Sequence, residues 1–352
     1  MNKHKFHTIF SLLIVLLLLA SCSGINAYFG GNSETLNDNK VNFYVPSNTT
    51  ISVVIDSLIQ QKIIDDEGDF QAVIDYKELA DDQFGAGKYI IAPHTDYKTL
   101  INGFTKNRLE NGNQEVEVKV TFNSYKDIRG IASKVSSQIE MDSTVFINYI
   151  LSDSILHKYG FSKARMMAMF VPNTYRFYWD TDHVQFVKTM AKEFKKFWSP
   201  ERIEKLSNSG LKTQSDAVTL ASIVYKEQSN QKQEWKTIAG LYLNRLRLGI
   251  KLQSDPTFRY CWGDVLDGVE TLTYEHRDRD CPYNTYIYAG LPPGPICIPP
   301  SQVVDAVLNA ENNNYLYMCA KPDGNGLHNF ARSLAQHNRN ARAYRIWDRN
   351  RK

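Results

Sequence analysis

Hydrophobic and polar positions change period several times along the chain, and each period predicts a different element. Every second residue is apolar in "VNFYV" (41–45), in "GKYIIAP" (87–93) and, strictly, from Val116 onward in "QEVEVKVTF" (114–122), the pattern of a strand with one buried face. Apolar residues three and four apart mark amphipathic helices in "TISVVIDSLIQQKII" (50–64) and "DYKTLINGF" (96–104). Residues 41–122 therefore read as a small α+β module. Helical spacing then dominates, in "YKDIRGIASKVSSQI", "DHVQFVKTMAKEFKKFW", "TQSDAVTLASIVYKE" and "QEWKTIAGLYLNRLRLG", with Gly249 a natural stop for the last. The tail returns to mixed structure: a Pro/Gly-rich loop, the helix "SQVVDAVLNAE", the strand "YLYMCA", a turn at "PDGNG", then "LHNFA" and a final helix. The fold class is α+β, with residues 123–352 forming a helix-rich domain that ends in a mixed α/β part.

One helix carries a residue out of place. In "LASIVYKEQSN", Leu220, Val224 and Glu227 share a face, so an apolar stripe ends in a carboxylate. The helix is expected to start near "TQSD", capped by Ser215 or Asp216, which puts Glu227 in its last turn. Burial and the negative end of the helix dipole both favour the neutral acid, so Glu227 is a candidate proton donor with a raised pKa. The alternative is a carboxylate that swings to solvent or pairs with a nearby cation.

The N-terminus predicts export. Lys3 and Lys5 precede an uncharged stretch that runs to Ser33, and residues 1–30 read as a single-pass anchor with the body outside the cytoplasm, followed by a polar linker over 31–40. The strongly apolar part is only Ile9–Ala20, and "LASC" is similar to a lipoprotein processing site, so lipidation of Cys22 is the competing anchor. Either way the expected location is the outer face of the cell (inner) membrane. Four further cysteines contain no CxxC pair, which argues against structural zinc and leaves open a Cys261–Cys281 bridge or four separate thiols. A net charge of +3 with no run of like charges gives no case for nucleic-acid binding.

Four ordered motifs, "LASIVYKE", "NRLRLGIKLQSDPTFRY", "YNTYIYAGLPPGPI" and "YLYMCAKPDGNGLHNFARSLAQHN", closely resemble the YceG-like family of membrane-bound endolytic murein transglycosylases. "VPNTYRFY" is similar to the segment before that family's catalytic helix, and "FGAGKYIIAPHTDYKTLINGF" to its LysM-like subdomain. The resemblance implies a lyase that cuts the β-1,4 bond between N-acetylmuramic acid and N-acetylglucosamine within nascent glycan strands, leaving 1,6-anhydromuramyl ends. It also implies an uncleaved anchor, peptidoglycan synthases as partners, and neither cofactor nor metal. The family's catalytic acid falls on Glu227, while the acid two places earlier is replaced by Tyr225 and an acidic helper at Asn173 is excluded.

The remaining candidates come with structural alternatives. Gln253, Ser254, Asp255 and Thr257 follow a helix stop, where Asp255-Pro256 is expected to set a rigid turn facing the glycan, with Asp255 the obvious second carboxylate. Asn284 and Tyr286 lie in a proline-stiffened loop, as sugar contacts or as packing. Asn244, Arg245, His328, His337 and Asn338 are supporting candidates, and pinning of the fold is the leading role for Arg245. Two other functions compete: a non-catalytic peptidoglycan-binding scaffold, and a hydrolase that uses Glu227 and Asp255 as a carboxylate pair.

Overall fold

Thr50, Asp66 and Asp96 each accept a hydrogen bond from a backbone N–H three residues on, and each starts a helix. The structure is a computed structural model that describes residues 33–105, 115–269 and 273–351. These separate into two compact units. The first holds the chain up to Val120 together with Ser137–Met141 and Tyr175–Asp182. Its strands β1 (Val41–Val45) and β2 (Gly87–Ile91) pair antiparallel, Val41 opposite Ile91, and carry the helices α1 (Ile51–Gln60), α2 (Glu67–Tyr76) and α3 (Tyr97–Phe104). Phe43 and Val45 from β1, Tyr89 and Ile91 from β2, and Leu58, Phe70 and Phe104 from the helices close one core. Tyr89 meets Phe104 edge-on at 4.9 Å, and Phe70 meets Tyr97 at 5.2 Å. Each such ring stabilises the unit by about 1.5–3 kcal/mol through its burial. The expected anchor and the cysteine at 22 lie outside the described residues, and no described helix is long and apolar enough to cross a membrane.

A second two-stranded sheet pairs β3 (Val118–Phe122) with β4 (Asn173–Phe177). The second unit is mainly helical. It runs through α4 (Ile128–Ser136), α5 (Ser143–Ile150), α6 (Asp153–Tyr159), α7 (His183–Phe197) and α8 (Pro200–Asn208) to a central helix, α9 (Gln214–Glu227). Around α9 pack α10 (Trp235–Arg247), α11 (Asp255–Trp262) and α12 (Ser301–Leu308). Helix α9 is buried on every side from Ser215 to Val224, so its interior is sealed and only its last turn meets solvent. Its cap is Thr213, not Ser215 or Asp216: the Thr213 hydroxyl accepts from the Asp216 N–H at 3.1 Å while Asp216 accepts from the Thr213 N–H at 2.9 Å. Asp216 also takes Arg165 at 2.9 Å, which neutralises a carboxylate that is nearly out of solvent.

Helix α10 ends as expected, with Gly249 in the left-handed region at φ 68°. Asp255-Pro256 differs from expectation. It opens α11 in place of a turn, because proline in a first helical turn has no N–H to lose and a φ already suited to the helix. The cysteines at 261 and 281 form a disulfide that closes a 20-residue separation, while Cys297 is a buried free thiol and Cys319 a half-buried one. The chain finishes with the hairpin of β5 (Tyr317–Ala320) and β6 (His328–Ala331), Tyr317 opposite Ala331, against which lies the exposed helix α13 (Leu334–Arg351). The architecture is thus helix-rich α+β with small sheets. Short helices such as α2, α5, α6 and α8 fall in stretches where the sequence pattern alone singles out no element.

Candidate active site

Three segments converge on Glu227. It is the last residue of α9, and its Oε1 accepts hydrogen bonds from the Tyr242 hydroxyl of α10 at 2.7 Å and from Ser254 Oγ, just before α11, at 2.5 Å. Among the described residues no group donates to Oε2, and this oxygen keeps contact with solvent in a cleft of about 380 Å³. Glu227 as a whole is half-buried, with protein packed around Oε1. Burial raises its pKa above the ordinary carboxylate range, outweighing the two hydroxyl hydrogen bonds that favour the charged form; nearby Asp255 pushes the same way as burial.

The cleft floor is set by residues around the end of α10. Gln253 lies in the left-handed region at φ 52°, its N–H donating to Thr285 O at 3.1 Å and its side-chain oxygen accepting from Arg245 at 3.2 Å. Arg245 is almost wholly buried and donates to the carbonyls of Leu316 (2.6 Å), Lys251 (2.7 Å) and Leu252 (3.0 Å), with its guanidinium 5.2 Å from the Tyr317 ring. It therefore ties α10 to both the loop before α11 and the start of β5. Asp255 lines the cleft and accepts from the Tyr286 hydroxyl at 2.6 Å. Burial and that carboxylate both push the Tyr286 pKa upward, so it remains a donor.

The opposite wall comes from β5, β6 and α13. His328 lines the cleft, with its Nδ1 2.8 Å from Glu234 Oε2 and its backbone N–H donating to Glu234 Oε1 at 2.8 Å. Glu234 is only 7% exposed, and it accepts a third hydrogen bond from Gln228 Nε2 at 3.1 Å. Gln228 follows Glu227 directly, so this buried carboxylate fixes both the imidazole and the chain leaving α9. His337 stacks on Tyr317 at 5.4 Å, and burial together with Arg245 and Arg345 depresses its pKa, which keeps it neutral.

Not all sequence candidates reach the cleft. Thr257 and Asn284 have no exposed surface: Thr257 bonds Ser254 O at 2.6 Å and Thr285 at 2.8 Å, and Asn284 donates to the carbonyls of Arg277 (2.6 Å) and Arg279 (2.9 Å). Both hold the walls instead of facing a ligand, because their polar groups are consumed by backbone. Asn244 donates to Asn313 O at 2.8 Å, away from the cleft, and Asn338 is exposed on α13. Asn173 starts β4 and caps its own neighbour, accepting from the Thr174 N–H at 2.8 Å. Tyr242 and Tyr317 line the cleft, and Glu234 holds its wall through His328; Tyr242 and Glu234 fall outside the four motifs, and Tyr317 lies in the fourth without being a site candidate there. Tyr242 was detectable in principle, since it stands three before Arg245 on one face of α10. Among the described residues no cluster of three His, Cys, Asp or Glu is placed to hold a metal ion.

The YceG-like family profile matches residues 43–343. An endolytic murein transglycosylase of Bacillus subtilis (strain 168) is 26% identical over 321 residues, covering 86% of this chain and 84% of that protein. Another, from Streptococcus pneumoniae serotype 2, is 26% identical over 210 residues, 59% of this chain and 37% of its own. The crystal structure of a yceG-like protein from Listeria monocytogenes shares the fold, with a TM-score of 0.55 at 23% identity over 86% of this chain and 99% of that one. With the match running almost the length of both units, the chain belongs to the YceG-like family.

Proposed function

We infer that this protein is an endolytic murein transglycosylase that cuts the bond between N-acetylmuramic acid and N-acetylglucosamine inside a glycan strand and leaves a 1,6-anhydromuramyl end. The carrying observation is the two-faced carboxyl of Glu227: Oε1 held by two hydroxyls, Oε2 open to the cleft, and burial keeping the proton on to a higher pH than usual. Since Oε1 already accepts twice, the proton of the neutral acid sits on Oε2, towards the substrate. It passes to the glycosidic oxygen as the C1–O bond breaks. The muramyl C6 hydroxyl attacks C1 on the same sugar, and its proton returns to the carboxylate. Atoms balance without water, and a single acid serves twice.

Tyr242 and Ser254 support the middle of this sequence. Their hydrogen bonds strengthen as Glu227 becomes charged, so they stabilise the carboxylate when it forms. Asp255 supports the hydrolase alternative, as a second carboxyl in the same cleft, but its oxygen is engaged by Tyr286. The first unit serves as a LysM-like glycan-binding module, and the catalytic unit works outside the cytoplasm, tethered to the membrane beside peptidoglycan synthases. Digestion of intact strands, with mass spectrometry of the ends, tests the reading: the wild type yields anhydromuramyl ends and Glu227→Gln loses at least about a hundredfold. Reducing ends would establish the carboxylate-pair hydrolase, and no cleavage the scaffold.

A further inference from the structure

The C-terminal helix presents a row of arginines that the fold does not use. Between Arg332 and Arg351 the chain carries six arginines and one acid, Asp348, which pairs with Arg351 at 3.1 Å. Among the described residues no carboxylate pairs with Arg339, Arg342, Arg345 or Arg349. All four are exposed, whereas Ala341, Tyr344 and Trp347 on the other side of α13 are half-buried towards the protein. Arg339, Arg342, Ile346 and Arg349 are spaced three, four and three apart, which aligns them along one outward line of about 15 Å.

The row begins at the cleft. Leu334 and His337, in the first turns of the same helix, line it, and Arg345 is close enough to bear electrostatically on His337 and on Cys319 in the cleft wall. Exposed arginines without partners are ready for a carboxylate, which the guanidinium binds through two parallel N–H groups. The substrate class supplies such groups repeatedly, because the muramic acid residues of a glycan strand bear peptides with free carboxylates. We propose that the outward face of α13 is a docking surface for the anionic stem peptides of the strand held in the cleft. This rests on the transglycosylase reading and extends it to the peptide. An anionic bilayer is the poorer occupant, since Ile346 is the one large apolar side chain among the arginines and offers little area to bury in lipid.

The experiment compares wild type with R339E/R342E/R349E on peptide-bearing strands and on strands whose carboxylates have been converted to amides. Each exposed charge pair contributes modestly, so three reversals together raise KM on peptide-bearing strands about tenfold. Amidation weakens the wild type to a similar degree and leaves the variant no worse. Equal KM for the two proteins on peptide-bearing strands, or the same loss for the variant on amidated strands, would overturn the proposal. So would a variant that loses binding to phosphatidylglycerol vesicles while its KM is unchanged, which would assign the face to a membrane. Cosedimentation with strands in a Glu227→Gln background reads the same affinities without cleavage. A wild type that fails to cut therefore refutes the transglycosylase reading and leaves the docking surface decided by binding.

Discussion

Removing the Tyr242 hydroxyl isolates the part of the mechanism that the sequence motifs do not show. Tyr242→Phe keeps the ring, which is 2% exposed, and deletes one of two donors to Glu227 Oε1. A hydrogen bond to a charged group is worth about 1.5–3 kcal/mol. At 1.36 kcal/mol per tenfold in rate, losing it from the carboxylate that forms in the transition state lowers kcat by about ten- to a hundredfold. The sign of the pH effect is also fixed. Both hydroxyls favour the charged form, so deleting one raises the Glu227 pKa further, and the alkaline limb of the rate profile, where the acid has lost its proton, moves to higher pH. The assay counts anhydromuramyl ends against time across the pH range, beside circular dichroism. An unchanged kcat, or a limb that moves to lower pH in a folded variant, would refute the assignment of Oε1 to these donors.

Other outcomes follow from the same geometry. A carboxyl whose folded pKa is raised contributes stability below its unfolded value and loses it as pH rises through the folded pKa, so Glu227→Gln flattens that decline and melts higher than wild type at neutral pH, as thermal denaturation will show. Wild type melting higher than the variant there would contradict the raised pKa. Replacing Cys261 and Cys281 by serine removes a crosslink across 20 residues, which costs about 3 kcal/mol in denaturant unfolding. A loss below about 1 kcal/mol would mean that the loop is already ordered without the bond.

Position along the chain was legible wherever a periodic pattern met its boundary signal. Glu227 stood out because an apolar stripe ended in an acid, and α9 ends on that residue. The α10 stop at Gly249 was legible for the same reason, since the periodic pattern closes on a glycine. Partners were not legible, because a hydrogen bond depends on which elements meet. Ser254 reads from the sequence as a sugar contact, yet its hydroxyl is 27 residues away in sequence and 2.5 Å away in space from the acid. Glu234 carries no signal at all, since a charged residue ahead of a helix normally faces solvent, and its partners Gln228 and His328 come from the end of α9 and from β6. Thr257 and Asn284 show the converse: a polar residue in a promising motif satisfied a backbone carbonyl first. Asp255-Pro256 suits a turn and a helix start equally, and packing of α11 on α9 decides for the helix.

In the proposed mechanism the attacking oxygen belongs to the sugar and not to water. Digestion of intact strands in water enriched in the heavy oxygen isotope, followed by mass spectrometry of the new muramyl ends, measures this directly. The expected products are anhydromuramyl ends, lighter than reducing ends by one water and free of heavy oxygen, and they fall by at least about a hundredfold in Glu227→Gln. Reducing muramyl ends carrying one heavy oxygen atom would contradict the mechanism and transfer the chemistry to a carboxylate pair.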